Sequence, residues 1–251
     1  MRAAIIAMSV LALAACSRGA DAHEGDREGA APSSGTATAR NYQVEDFQKI
    51  ALRGPHDVIV TVGGAASVRA EGSAEAMEKL EIRVENGRLI VGGKRKRKDG
   101  GWFNHSTGKD KVVVTVTVPS LAAASVEGSG DIRIDKVQGD EFEGEIAGSG
   151  DLEIGDVRVK RTEFSIAGSG GIRAKGATDS AEVSIAGSGD VDVSALQAKT
   201  AEISIAGSGG VRANASETAD VSIMGSGDVT MTGSAKCSIS KMGSGNVTCG
   251  G

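Results

Sequence analysis

Two columns rich in acidic side chains recur every 18–20 residues through the second half of the chain, and carboxylates stacked in that way could hold a divalent cation. Directly after each of seven Gly-Ser-Gly tripeptides stand Asp131, Asp151, Gly171, Asp190, Gly210, Asp228 and Asn246. Five residues before the tripeptide, the column reads Glu143, Glu163, Glu182, Glu202 and Asp220. Like charges about 5 Å apart repel, so such side chains either splay into water or take cations between them. Calcium-binding nonapeptide repeats, however, carry Gly-Gly-x-Gly-x-Asp at half this period, with a paired second turn that is missing here. The columns therefore read as solvated strand faces. Asp131, Asp151, Asp190 and Asp228 are the candidate metal ligands, and no cofactor is expected.

Catalytic groups are scarce. His23, His56 and His105 show no ligand-like spacing and stand near no nucleophile elbow, so each reads as a surface histidine. The glycines match neither Gly-x-Gly-x-x-Gly nor the Walker spacing, because the third position falls on Arg133, Arg173 or Arg212. A polysaccharide-acting β-helix enzyme, the remaining catalytic alternative, would need aromatic sugar platforms, and aromatic residues make up only 2% of the chain. The protein reads as non-enzymatic. Its formal charge of −5 gives no reason to expect nucleic acid as a partner. The local exception is Lys94, Arg95, Lys96, Arg97 and Lys98, followed by Trp102. This run either contacts lipid phosphates, lipopolysaccharide or another anionic polymer, or is a solvated loop joining two strands.

These residues need elements to position them, and the tripeptide shows which. Gly-Ser-Gly begins at 128, 148, 168, 187, 207, 225 and 243, in steps of 20, 20, 19, 20, 18 and 18 residues. A period in that range marks a stacked repeat. Two and four residues to either side stand apolar residues such as Phe164 and Ile166, or Leu152 and Ile154, so each repeat reads as strand, tight turn, strand with period-two burial. A single rung cannot cover its apolar face, so rungs must stack about 4.8 Å apart, parallel and in register. The fold class is all-β: a right-handed parallel β-solenoid of rungs of about 20 residues, with an irregular β-rich N-terminal cap. Glycine suits the turn because at least one position there needs positive φ. Three residues after the turn the column reads Arg133, Glu153, Arg173, Asp192, Arg212, Thr230 and Thr248, an alternation of charge that reads as a register device. Cys237 and Cys249 fall on the inward phase and either bridge the two sheets of the final rung as a disulfide or remain buried thiols. That rung otherwise presents a bare edge, through which the protein could oligomerise.

The first half is less regular. Residues 1–16 carry one early Arg and a short apolar run, and read as a signal peptide. The run ends Leu13-Ala14-Ala15-Cys16, which resembles the lipobox of bacterial lipoproteins; this implies lipidation of Cys16, and Ser17 after it favours the outer membrane. Residues 17–40, rich in Ala, Gly, Ser, Thr and charge, read as a disordered tether. Residues 41–120 form the irregular β-rich part and 121–251 the regular repeats. Val58, Val60 and Val62 alternate, Gly63-Gly64 turns the chain, and Ser73 can cap a helix over Ala74 to Leu80. Asn86-Gly87 between Ile82-Arg83-Val84 and Leu89-Ile90-Val91 is a hairpin signal. In the competing reading, both Gly54-Pro55-His56-Asp57 and Asn86-Gly87-Arg88 are degenerate Gly-Ser-Gly-Asp turns of atypical end rungs.

Phe47-Gln48-Lys49-Ile50, Gly54 with Asp57-Val58-Ile59-Val60, Leu89-Ile90-Val91, Val116-Thr117-Val118-Pro119-Ser120-Leu121 and the repeated Ala-Gly-Ser-Gly-Asp-Val together resemble the bacterial auto-transporter adhesin family, also called the head GIN domain. The resemblance covers residues 42–251, with Lys94 to Lys98 as a departure. It implies a β-helical cell-envelope protein with an adhesive role and carries over no catalytic residue. The expected function is that of an exported, lipid-anchored adhesin, on the periplasmic face of the outer membrane or at the cell surface. Its partners would be the membrane and a surface ligand, either glycan or protein. The alternative is a periplasmic structural or sensory module that binds anionic envelope polymers through Lys94 to Lys98 and Trp102.

Overall fold

The computed structural model describes residues 38–94 and 111–250. Cys16 with its signal peptide, the tether up to residue 37, and Arg95, Lys96, Arg97, Lys98 and Trp102 lie outside the described residues. Among the described residues seventeen strands join in one continuous hydrogen-bonded sheet. The first half holds β1 (Thr38–Tyr42), β2 (Lys49–Gly54), β3 (Asp57–Val62), β4 (Ser67–Gly72), helix α1 (Ala74–Lys79), β5 (Leu80–Glu85), β6 (Arg88–Gly93), β7 (Val113–Val118), β8 (Ala123–Gly128) and β9 (Ile132–Ile134). The second half holds β10 (Val137–Gly148), β11 (Asp151–Gly168), β12 (Gly171–Gly187), β13 (Asp190–Gly207), β14 (Gly210–Gly225), β15 (Asp228–Thr232), β16 (Lys236–Gly243) and β17 (Val247–Cys249).

The repeats form a parallel β-solenoid. Period-two alternation turns every second side chain inward. Along β11 the buried residues are Leu152 and Ile154, then Val157 and Val159, then Thr162, Phe164 and Ile166. The alternation slips at Gly155-Asp156 and again at Lys160-Arg161, so each rung has three inward segments rather than the two expected from the sequence. The middle segment escapes the pattern because its residues vary: Val157 and Val159 are followed by Gly176 and Thr178, then by Leu196 and Ala198. Like residues stack from rung to rung, as in the column Val126, Ile146, Ile166, Ile185, Ile205, Ile223. Each buried Ile contributes about 1.5–3 kcal/mol. A one-residue slip would turn a whole segment outward, which holds the register.

The solenoid continues into the irregular half, in a different chain order. β2 stacks on β8 with Ile50 opposite Ala124, Leu52 opposite Val126 and Gly54 opposite Gly128; β3 stacks on β9. Gly54-Pro55-His56 is therefore a degenerate corner, as the second reading of this segment held. Asn86-Gly87 is not. Asn86 (φ 52°) and Gly87 (φ 70°) make the tight turn of an antiparallel β5–β6 hairpin, and β6 stacks on β2 with Leu89 opposite Ile50 and Val91 opposite Leu52. β7 completes this outermost rung by pairing in parallel with β3. Beyond it the pairing turns antiparallel, β4 on β7 and β1 on β4. β1 begins at Thr38, inside the stretch read as tether. It shows no apolar period because it is an edge strand with three exposed residues out of five. Helix α1 starts where Ser73 Oγ accepts the Ala76 N–H at 3.2 Å and buries Ala76 and Met77 in the core.

The C-terminal end is closed differently. β16 lies on β14 and β17 on β15, with nothing paired beyond them among the described residues. Ile239, on the inward phase, is 49% exposed. Lys241 occupies the Ile223 column and donates to the Gly245 carbonyl at 2.7 Å. An inward-phase charge of this kind blunts an open edge against further strand addition. Cys237 and Cys249 form a disulfide that ties β16 to β17.

Candidate functional site

The corner column formed by the Gly-Ser-Gly turns is built by backbone demands. The first glycine of each turn has φ between +130° and +143°, a region that side chains with a Cβ avoid. The serine N–H continues the ladder around the corner, as in Ser169 N–H to the Gly148 carbonyl (2.9 Å) and Ser208 N–H to the Gly187 carbonyl (2.8 Å). The third glycine has no room for a side chain. A Cβ on Gly170 would run into the Gly150 carbonyl and stand 2.8 Å from Ile146 Cγ2.

The residue after the corner behaves differently. Asp131, Asp190 and Asp228 each use Oδ1 to accept a backbone N–H from the next rung: that of Asp151 at 3.2 Å, Gly210 at 2.9 Å and Asn246 at 2.8 Å. These carboxylates cap the advancing ladder. Gly171 and Gly210 interrupt their column, and neither has positive φ. A Cβ on either would meet one flexible carboxylate oxygen, Asp151 Oδ1 or Asp190 Oδ1, at 2.8 Å. Asp151 and Asn246 already carry side chains above such a capping carboxylate. Neither backbone nor packing therefore demands glycine at 171 or 210. Their effect is to open a groove of about 440 Å³ along the corner, walled by Asp151, Arg173, Asp190, Asp192, Arg212 and Asp228.

The arginine column runs beside this groove. At the Asp131 corner the arginine folds back: Arg133 lies 3.6 Å from Asp131 and 3.7 Å from Glu153. Arg173 and Arg212 follow the two glycines instead, find no carboxylate at their own corner, and form no ion pair or hydrogen bond among the described residues. Asp192 stands between them in register. Hydrogen bonds from Ser194, its hydroxyl at 2.6 Å and its N–H at 3.2 Å, hold the Asp192 carboxyl below its ordinary range. Partial burial opposes them, and the charges of Arg212 and Arg173 assist.

The expected charge ladder is thus in direct contact only at Arg133–Glu153. A second ladder forms at the corner the sequence reading missed, where Lys160 pairs with Asp140 at 2.7 Å and Lys199 with Asp179 at 2.6 Å. The sequence signal for it was the alternation of Asp140, Lys160, Asp179 and Lys199 at the repeat period. Glu143, Glu163, Glu182, Glu202 and Asp220 stack in register as a like-charged stripe. Desolvation, then the neighbouring Glu182, Glu143 and Glu141, push the Glu163 carboxyl up, with Arg161 opposing. Among the described residues no three His, Cys, Asp or Glu side chains converge as a metal site.

His56 departs from the surface position expected of it. It is only 6% exposed, because its backbone lies in the corner column directly beneath Gly130. His23 and His105 lie outside the described residues, and the remaining cation of the basic run, Lys94, is the exposed residue just after β6.

No curated protein matches the chain. Among solved structures, an adhesin described as putative from Bacteroides fragilis is similar at 22% identity, covering 86% of this chain and 98% of its own, with a TM-score of 0.74. A protein from Parabacteroides distasonis, described as a putative lipid binding protein, is similar at 25% identity over 86% of this chain and 97% of its own, with a TM-score of 0.70. One from Parabacteroides merdae, also described as a putative adhesin, reaches 0.65 at 18% identity over 86% and 96%. These likenesses concern the fold, and a sequence model goes further by matching residues 46–235, most of the chain. The protein belongs to the family described as putative auto-transporter adhesin, head GIN domain.

Proposed function

We propose that this protein is a non-enzymatic, lipid-anchored envelope adhesin, held to the outer membrane through Cys16 and binding its target along the corner ridge of the solenoid. The observation that carries the reading is the pair of glycines at 171 and 210, which no backbone requirement explains and which leave Arg173 and Arg212 without an ion pair or hydrogen bond among the described residues, beside an open groove. An open groove walled by two arginines free of ion pairs suits a binding surface. Membership of an adhesin family and the lipobox sequence support the envelope setting.

A second reading has one observation in its favour. Gly92 pairs with Arg53 and Val113 with Asp57, so the pairing of β6 ends and that of β7 begins on either side of the step that Gly54-Pro55-His56 spans one rung away. The described residues that flank Lys94 to Lys98 and Trp102 in sequence, Gly93 and Val112, thus lie beside the corner ridge. This suits a periplasmic module that uses the basic run against anionic envelope polymers. Topology separates the two readings. Protease added to intact cells degrades a surface adhesin and spares a periplasmic module, so full protection would overturn the adhesin reading. Cys16→Ala should move the protein from the membrane to the soluble fraction, and unchanged fractionation would contradict the anchor.

A further inference from the structure

We infer that the groove over Gly171 and Gly210 binds a neutral, hydroxyl-rich chain, a glycan lying along the solenoid across successive rungs. The inference rests on the adhesive reading above and gives it a ligand class. The two glycine rungs share one design: no side chain at the corner and, two residues on, an arginine that cannot fold back as Arg133 folds onto Asp131. Each guanidinium keeps its fork of N–H donors open to the groove. The two stand two rungs apart, about 9.6 Å at the spacing of neighbouring strands. A repeated donor set suits a repeating ligand better than one small molecule.

The acceptors are interleaved with these donors. Asp190 and Asp228 each engage Oδ1 with the next rung's backbone, which leaves Oδ2 for a ligand. Ser169 and Ser208 also line the groove.

The lining excludes other chemistries. Ile172, Val191 and Val211 are almost fully buried, so the groove offers an acyl chain little apolar surface beside its charged and polar walls. Four carboxylates, of Asp151, Asp190, Asp192 and Asp228, outnumber two guanidiniums, and this disfavours a polyanion. The guanidiniums in turn interrupt any track for a polycation. Hydroxyl groups both donate and accept, and use both kinds of side chain. Without an aromatic platform a single chain binds weakly, and many anchored copies raise the avidity.

The test uses the full-chain protein and three neutral hexasaccharides, a β-1,4-glucan, a β-1,4-mannan and a β-1,4-linked N-acetylglucosamine oligomer, with hexagalacturonate as the anionic arm. Saturation-transfer NMR and calorimetric titration should detect at least one neutral oligomer, with an affinity unchanged between low and high salt. Binding should weaken about tenfold in Gly171→Asp/Gly210→Asp, which refills the groove with a residue the neighbouring rungs accommodate, and in Arg173→Ala/Arg212→Ala. Circular dichroism melting should show both variants folded. No binding by any neutral oligomer, salt-sensitive binding of hexagalacturonate alone, or neutral binding that survives both variants would overturn the inference. Loss of cell attachment in the groove variants without neutral-glycan binding would remove the ligand class and keep the adhesive reading. Glycan binding with attachment intact would do the reverse.

Discussion

Gly170 and Gly171 are adjacent and answer to different constraints. At Gly170 a methyl group would collide with the Gly150 carbonyl and press on Ile146, whereas at Gly171 its one tight contact would be the side-chain oxygen Asp151 Oδ1. Gly170→Ala should therefore cost about 1–3 kcal/mol of unfolding free energy, and Gly171→Ala should stay within about 0.5 kcal/mol; urea unfolding of the two variants compares them directly. The charge ladders give a second contrast. The Glu163 pKa is raised, so the folded state holds that proton more tightly than the unfolded chain; its contribution is full below the unfolded pKa and is lost as pH rises through the folded value. Asp140 is lowered, first by its hydrogen bond from Lys160 and then by that residue's charge, so its contribution is present above the unfolded pKa and is lost as pH falls through the folded one. Glu163→Gln should raise Tm at neutral pH and Asp140→Asn should lower it, with both differences closing in acid. Differences that persist in acid would contradict these assignments. The glycine repeat was legible in the sequence, but the separate standing of Gly171 and Gly210 was not, since φ and free space are properties of the stacked backbone.

Within a rung, large and small residues are matched across the stack. Gly144 lies opposite Phe164, and a Cβ on Gly144 would stand 2.8 Å from the Phe164 ring. Phe164→Ala should leave a cavity that the fixed rung above cannot collapse into, at a cost of about 3–5 kcal/mol measured by denaturant unfolding. The last rung depends on a different device. β16 is exposed along nearly its whole length, and the Cys237–Cys249 disulfide closes it over a sequence separation of 12. Cross-links around loops of this size are worth about 3 kcal/mol. Reduction should therefore release this rung first, seen by mass spectrometry as early tryptic cleavage after Lys236 and Lys241; cleavage that is unchanged by reductant would show that the rung holds without it. Period-two alternation made the first and last segments of each rung readable from residues such as Leu152, Ile154, Phe164 and Ile166. The middle segment was hidden because Gly176, Thr178 and Ala198 share no hydropathic signature, and because its corners at Gly155-Asp156 and Lys160-Arg161 lack the tripeptide. Asn86-Gly87 resembled both a hairpin and a corner, and only its antiparallel partner, β5, separates the two.

The solenoid is a stack whose rungs meet only their neighbours, so its ends need separate solutions. At the N-terminal end, helix α1 and the antiparallel strands β1, β4 and β5 cover the core. At the other end Lys241 and the disulfide blunt the edge. What lies between is a ridge on which one motif, a glycine with an arginine two residues on, recurs two rungs apart at Gly171/Arg173 and Gly210/Arg212. A stiff scaffold with a repeated surface motif suits attachment to a repeating surface. The proposed anchor at Cys16 would place many copies side by side. The most direct measurement compares attachment to a glycan-coated surface by cells expressing the wild-type protein, Cys16→Ala, and Gly171→Asp/Gly210→Asp at equal levels. Attachment should fall in both variants, by release from the envelope in the first and by a filled groove in the second. Attachment equal to wild type in both would contradict the account.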